Sequence, residues 1–227
     1  MDYTNLFKQC SDKVSKVGII GATRGYGYTL LAQIPKVKQM ELRLISSRHA
    51  DECMEVLTGL GYKEENIAVC ETAEQVKHAS KDKVLIVKDY HLVLESDITA
   101  LVECTGNTAV SAEVSAEALK RGINVYMVSK ETDSVCGPML NHIASQNGTV
   151  YSLVNGDQPR NLLDLYSWGK VLGLEIIAAG KASEYDFVWN PDTGEFTYME
   201  GNSKPNEVIS EMKDFWHFKG VETLKER

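Results

Sequence analysis

No pair of cysteines in this sequence is spaced for a bridge or a metal, and no stretch carries a surplus of positive charge. The five cysteines, Cys10, Cys53, Cys70, Cys104 and Cys136, stand far apart, with no C-x-x-C and no histidine at zinc-ligand spacing. That excludes the sequence signature of a disulfide framework or a zinc finger and predicts thiols in a reducing cytoplasm. Lys and Arg number 24 against 32 Asp and Glu, a net charge of −8. Such a chain repels a nucleic-acid backbone or an anionic membrane, and no local Lys/Arg cluster offsets this. Any bound anion therefore needs a pocket of its own. The opening MDYTNLFKQCSDK lacks the basic start and apolar centre of a signal peptide, and no apolar run approaches a membrane span, so an intracellular chain is expected. Internal repeats and low-complexity segments are also missing.

What is present is the alternation of an α/β protein. At 227 residues the chain exceeds one average domain and falls short of two, and 43% hydrophobic with 25% charged residues can bury a continuous core. Apolar β-branched runs predict strands over Val17 to Ile20, Leu42 to Ser46, Val84 to Val87, Ala100 to Cys104, Asn124 to Val128 and Thr149 to Val154. Helical patterns fall between them, over Tyr28 to Ile34, Ala50 to Leu60, Ala109 to Arg121 and Met139 to Gln146. Strands apolar on both faces belong to a parallel sheet covered on each side by helices, so the fold class is α/β, a Rossmann-type doubly wound sheet. Past Asn155 the pattern changes to a helix (Asn161 to Leu172), a strand (Glu175 to Ala179) and FVW-NPDTG-EFTY, which reads as a hairpin around a Pro/Gly loop. The expected division is a NAD(P)-binding domain over 1–155 and the first part of a catalytic, substrate-binding α+β domain over 156–227. An unfinished second domain suggests an interface, and a homo-oligomer is one way to supply it.

The stretch GIIGATRGYGYTLLAQ, from Gly18 to Gln33, places a glycine turn after the first strand and before a helix. In that position backbone N–H groups and the helix dipole receive a pyrophosphate. Gly21 makes the turn tight, Gly25 and Gly27 keep the helix start near ligand and sheet, and Thr23, Arg24 and Tyr26 lie within reach. The spacing is G-x-x-x-G-x-G, with Thr23 where the usual dinucleotide fingerprint has its second glycine. The second strand ends in Ile45-Ser46-Ser47-Arg48, without the carboxylate that holds the ribose 2′-hydroxyl of NAD. Two hydroxyls and a guanidinium suit a phosphate instead, so NADP is expected rather than NAD, unless Arg48 is only a solvated residue at a helix start. The fourth strand runs into Cys104-Thr105-Gly106-Asn107, where Thr105 and Asn107 can meet ribose or nicotinamide and Gly106 permits close approach. The next strand leaves Ser129, Lys130 and Glu131 on the same rim.

Two enzyme families share features with these residues. G-x-x-x-G-x-G together with Tyr166-Ser-Trp-Gly-Lys170 matches the loop and Tyr-x-x-x-Lys pair of short-chain dehydrogenases, in which the lysine lowers the tyrosine pKa. The Asn-Asn-Ala-Gly stretch of that family is missing after the fourth strand. A second likeness covers most of the chain: the glycine loop leading into LLAQ, then LVECTGN, GINVYMVSKETD, VYSLVNGDQP and LEIIAAGKASEYDF, in this order. These segments resemble the homoserine-dehydrogenase-like oxidoreductases, in the branch that includes the deoxyxylulose-phosphate reductoisomerase-like enzymes. Members of that family run well beyond this length, so the resemblance places the chain in their amino-terminal half.

The resemblance implies hydride transfer between NAD(P) and an alcohol or carbonyl of a small polar metabolite, with protein groups moving a proton at the oxygen. It aligns Gly156-Asp157-Gln158-Pro159 with the turn that opens the family's catalytic domain. Asp157 then meets substrate hydroxyls and Gln158 bonds to substrate or cofactor, although Asp157 ahead of Pro159 also reads as a helix cap. Lys181, after the expected strand, is the first candidate to polarise the carbonyl or protonate it, and Lys130 the second, with Glu131 beside it toward substrate. A catalytically silent NADP-binding module remains the reading outside enzymes. The five histidines are read as structural or solvated, and no metal site is expected.

Overall fold

Residues that point alternately to two apolar layers decide the architecture. The computed structural model describes residues 13–23, 25–79, 81–155 and 158–179, together with the strands at 185–190, 195–200 and 206–207. The chain divides into two units, 1–163 and 164–227. In the first, seven strands form one parallel sheet: β1 Ser15–Ile20, β2 Met40–Ser46, β3 Ile67–Cys70, β4 Val84–Val87, β5 Ala100–Glu103, β6 Asn124–Met127 and β7 Tyr151–Leu153. Their order is β3-β4-β2-β1-β5-β6-β7, and every pair is parallel. Five helices connect them: α1 Gly25–Gln33, α2 Ala50–Gly59, α3 Ala73–His78, α4 Thr108–Lys120 and α5 Lys130–Asn147. This is the doubly wound Rossmann-type α/β fold.

The two layers are chemically continuous. Val17, Ile19, Ile45, Ile86 and Val102 pack with Leu31 of α1 and Cys53 and Leu57 of α2. Ile20, Leu44, Leu85, Val87, Leu101, Val125 and Met127 face the opposite way, toward Val76, Val114, Leu119, Leu140 and Ala144 of α3, α4 and α5. Full burial of each large aliphatic side chain contributes about 1.5–3 kcal/mol, and it does so on both faces. Because α1 and α2 cover one face while α4 and α5 cover the other, the chain changes sides between β1 and β5. That is the topological switch point, where a crevice opens at the carboxyl ends of the strands.

Four local features depart from the sequence expectations. The strand β3 and helix α3 were not anticipated: β3 is only four residues long, and α3 is announced by a capping box. In that box Gln75 N donates to Thr72 Oγ1 and Thr72 N to Gln75 Oε1, both at 3.2 Å. Helix α5 begins at Lys130 rather than Met139 and runs through Pro138. An interior proline costs about 3 kcal/mol, which the burial of Leu140 and Ala144 in the following turns helps to offset. Finally, residues 174–179 form no strand. Leu174 and Ile177 are exposed there, Ile177 by 92%. An apolar run becomes a strand only where a ladder partner receives its backbone groups.

In the second unit, α6 Gln158–Val171 begins in the first unit and ends in this one, followed by β8 Tyr185–Asn190, β9 Glu195–Glu200 and β10 Asn206–Glu207. These strands form an antiparallel sheet of order β10-β9-β8. The β8–β9 pair is the hairpin expected from FVW-NPDTG-EFTY. Among the described residues no helix is long and apolar enough to cross a membrane.

Candidate dinucleotide site

The strand ends are held in step at the rim. Gly21 N donates to Ser46 O, Ser47 N to Val87 O, Cys104 N to Ile20 O and Val128 N to Glu103 O, at 2.9–3.1 Å. These bonds carry the sheet one residue past each strand, so the loops leave from a common edge. Gly21 then turns with φ +84°, and a Cβ there would stand 2.8 Å from the Cys104 carbonyl and 3.0 Å from Thr105 N. A Cβ on Gly27 would lie 2.5 Å from Gly21 O. Only glycine fits either place, so the first turn of α1 and the end of β5 both press on the β1 turn. Gly25 is different: an added Cβ would meet nothing within 4 Å among the described residues, and its requirement is the positive φ of +55° at the helix start.

Above this turn lies a cleft of about 490 Å³, a size typical of small-molecule sites. Of the residues named from sequence, Gly21, Thr23, Ser46, Ser47, Arg48, Thr105 and Asn107 line it. Sequence reasoning missed His49, Glu52, Lys88, Tyr90 and Val110, which line it too. Lys88 follows β4, and the bond from Ser47 N to Val87 O sets the ends of β2 and β4 side by side. Arg48 and Lys88 are exposed, and neither has a hydrogen-bond or ion-pair partner among the described residues.

On the far side of Gly21 the turn after β5 is tied inward. Asn107 caps α4, its Oδ1 accepting from Val110 N at 3.1 Å. Gly106, at φ +69°, donates its N–H to the Ser129 hydroxyl at 2.8 Å. Ser129 is therefore a buried brace for that turn. Burial, and secondarily the neighbouring Glu103 carboxylate, push the Cys104 thiol well above its ordinary pKa, so it stays protonated and is no thiolate nucleophile.

No protein-family model matches the chain, and no curated protein matches it. Solved structures similar to it include a 3-ketoreductase from Actinomadura kijaniata in complex with NADP and TDP-benzene, at 19% identity and a TM-score of 0.47, over 69% of this chain and 43% of that one. Another is a scyllo-inositol dehydrogenase from Lactobacillus casei with bound NAD(H) and scyllo-inositol, at 17% identity and a TM-score of 0.46, over 70% of this chain and 42% of that one. The match thus spans less than half the length of either protein. Likeness this distant carries no functional argument, and the site must be read from its own residues.

The remaining candidates are distributed as follows. Tyr26 is exposed on the first turn of α1, while Lys130 and Glu131 are half-buried on the first turn of α5, beside Ser129. Gln158 opens α6. Arg24, Asp157 and Lys181 lie outside the described residues. The strand expected to aim Lys181 at the rim does not form, which removes the geometric argument for that lysine. Tyr166 and Lys170 are exposed on the part of α6 that belongs to the second unit. Among the described residues no group of three His, Cys, Asp or Glu side chains is placed to hold a metal ion.

Proposed function

We propose that the first unit binds NADP and that the protein is an oxidoreductase, transferring a hydride between the nicotinamide and an alcohol or carbonyl of a small polar metabolite. One observation carries this reading: a glycine turn too tight for any Cβ opens onto a switch-point cleft lined by two serines and by Arg48 and Lys88, two cations unpaired among the described residues. Glycine at 21 and 27 lets the end of β5 and the first turn of α1 close on the β1 turn, which brings the start of α1 to the edge of the cleft, where a helix N-terminus can receive a diphosphate. Ser46, Ser47, Arg48 and Lys88 supply the hydroxyls and charge for a 2′-phosphate, and the carboxylate that would reject it is missing from the end of β2. The residues therefore fit the cofactor.

When bound, NADPH supplies the hydride. The protein's part is to orient the cofactor from the turn of β1 and the turn of β5, and to move a proton at the substrate oxygen. Lys130 is the candidate among the described residues; Lys181 and Asp157 are kept as candidates on the resemblance alone. The homoserine-dehydrogenase-like assignment rests on the order of five segments, the glycine loop leading into LLAQ, LVECTGN, GINVYMVSKETD, VYSLVNGDQP and LEIIAAGKASEYDF, of which LVECTGN covers the end of β5 and GINVYMVSKETD the β6–α5 junction. A cytoplasmic location is part of the same reading.

A thermal-shift titration tests it. A ligand at 100 times its dissociation constant stabilises the native state by about 2.7 kcal/mol, roughly 5–10 °C for a chain of this size. NADPH is expected to give such a shift and NADH a clearly smaller one. No shift with either would refute the reading. In turnover assays with small hydroxy- and oxo-acids and sugar phosphates, Tyr166→Phe is expected to match wild type; loss of activity would favour short-chain dehydrogenase chemistry instead.

A further inference from the structure

The most deeply buried charge at the rim sits under the cleft rather than in it. Glu103 ends β5 with no exposed surface. Its Oε1 accepts from the amide of Thr105 at 2.8 Å and from the Thr105 hydroxyl at 2.5 Å. Its Oε2 is buried and has no hydrogen-bond partner among the described residues. Enclosing a carboxylate costs several kcal/mol, and this one is only half compensated. Leu101, two residues earlier on the same face, shows that an aliphatic side chain suits this layer. The core alone gives no reason for a charge here.

The hydrogen bonds show what the charge sets. The Thr105 hydroxyl gives its single proton to Glu103 and accepts from Asn107 N at 3.0 Å. Ser111 Oγ, 3.4 Å away, must then be the donor of that pair. The hydroxyl is wholly engaged within its own turn and has nothing left for a ligand. What the turn presents outward is its backbone and the Asn107 NH2, since Asn107 Oδ1 caps α4. The same Thr105 amide lies 3.0 Å from where a Cβ on Gly21 would stand. By drawing that amide inward, Glu103 also sets how closely the β5 turn meets the glycine loop.

We infer that Glu103 is a positioning residue for the nicotinamide half of the cofactor: its buried carboxylate pulls in the amide and hydroxyl of Thr105 and fixes the 105–107 turn against Gly21. This rests on the NADP reading above. It goes beyond it by assigning a role to a residue that lies outside the cleft lining.

The test compares Glu103→Leu and Glu103→Gln for binding of NADPH and of adenosine 2′,5′-bisphosphate, which contains only the adenosine half. Glu103→Leu is expected to weaken NADPH about 10-fold or more, the scale of one hydrogen bond to a charged acceptor, and to leave the bisphosphate within about 2-fold. Glu103→Gln keeps an oxygen that accepts both Thr105 bonds and is expected to restore NADPH to within about 3-fold of wild type. The inference fails if Glu103→Leu binds NADPH like wild type, if it loses both ligands alike, or if Gln is no better than Leu. Should Glu103→Leu not fold, Thr105→Val carries the test, with the same split expected and equal binding of NADPH overturning the inference. Wild-type protein that binds neither ligand would instead overturn the NADP reading itself.

Discussion

The two edges of the parallel sheet carry similar charges and use them in opposite ways. At the amino-terminal edge, Arg43 occupies the irregularity between the paired positions Val17↔Leu42 and Gly18↔Leu44, which turns an extra residue out of the ladder. Its side chain, 4% exposed, donates to Asp97 at 2.7 Å and to the Lys81 and Lys83 carbonyls, while Lys16 pairs with the same Asp97. At the carboxyl-terminal rim, Arg48 and Lys88 are exposed beside a cleft and have no partner among the described residues. Charge at the first edge is committed to holding loops together; charge at the second is available to a ligand. The contrast separates cations held by partners from cations left to solvent, and it does so by partnership rather than by residue type.

Substitutions at the two edges should therefore separate stability from binding. The largest effect is expected for Gly21→Ala, whose Cβ would collide with the Cys104 carbonyl at 2.8 Å in a backbone of positive φ. NADPH binding should fall below detection in a fluorescence titration; retained affinity would show that the loop is only a structural turn. Asp97→Ala comes next. It removes the carboxylate from a buried guanidinium that keeps its bonds to the Lys81 and Lys83 carbonyls, and should cost about 1.5–3 kcal/mol in denaturant unfolding, with NADPH affinity unchanged. Burial pushes the Asp97 carboxyl up, but the hydrogen bonds from Lys16 and Arg43 and their charges outweigh it and hold the pKa at about 2. A depressed pKa gives stability that is complete above the ordinary value of 3.8 and lost as pH falls toward 2. Asp97→Ala should accordingly flatten the acid limb of the stability curve between those limits.

Arg48→Ala and Lys88→Ala should each weaken NADPH by about 10-fold while changing NADH by less than about 2-fold, since a charge-assisted bond to phosphate is worth about 1.5–3 kcal/mol. Equal losses for both cofactors would place these cations elsewhere on the ligand. The smallest effect concerns the brace beside Tyr90. His91 meets Asp89 at 2.7 Å and Glu113 of α4 at 3.2 Å, and these two hydrogen bonds raise its pKa above 6.5. A raised pKa means stability that is complete below 6.5 and lost as pH climbs through the folded value. The melting temperature of His91→Gln should fall below that of wild type at pH 6 and converge with it at alkaline pH. A constant gap would rule out the ionic brace.

Much of this fold was legible because strands apolar on both faces admit few alternatives. The glycine turn, β1, β2 and β4 to β7 follow from runs such as Val84 to Val87, in which every residue is buried. The strand β3 was missed because four residues between polar turns give no period to count. The opposite error, reading 175–179 as a strand, arose because hydrophobicity does not reveal whether a ladder partner exists. In the site, residues next to their own strand ends were readable: Ser47, Arg48, Thr105 and Asn107. Lys88, Tyr90 and Val110 were not, because only the sheet order β4-β2-β1-β5 brings them to one cleft. Glu103 was visible within LVECTGN, but its burial and its hold on Thr105 depend on packing that one sequence does not display.

The most direct test of the central claim is calorimetric titration of the wild-type protein with NADPH and NADH under identical salt. A glycine turn flanked by Arg48 and Lys88, which are unpaired among the described residues, predicts one site per chain and NADPH at least about 10-fold tighter than NADH. Equal affinity, a preference for NADH, or no heat with either would contradict it.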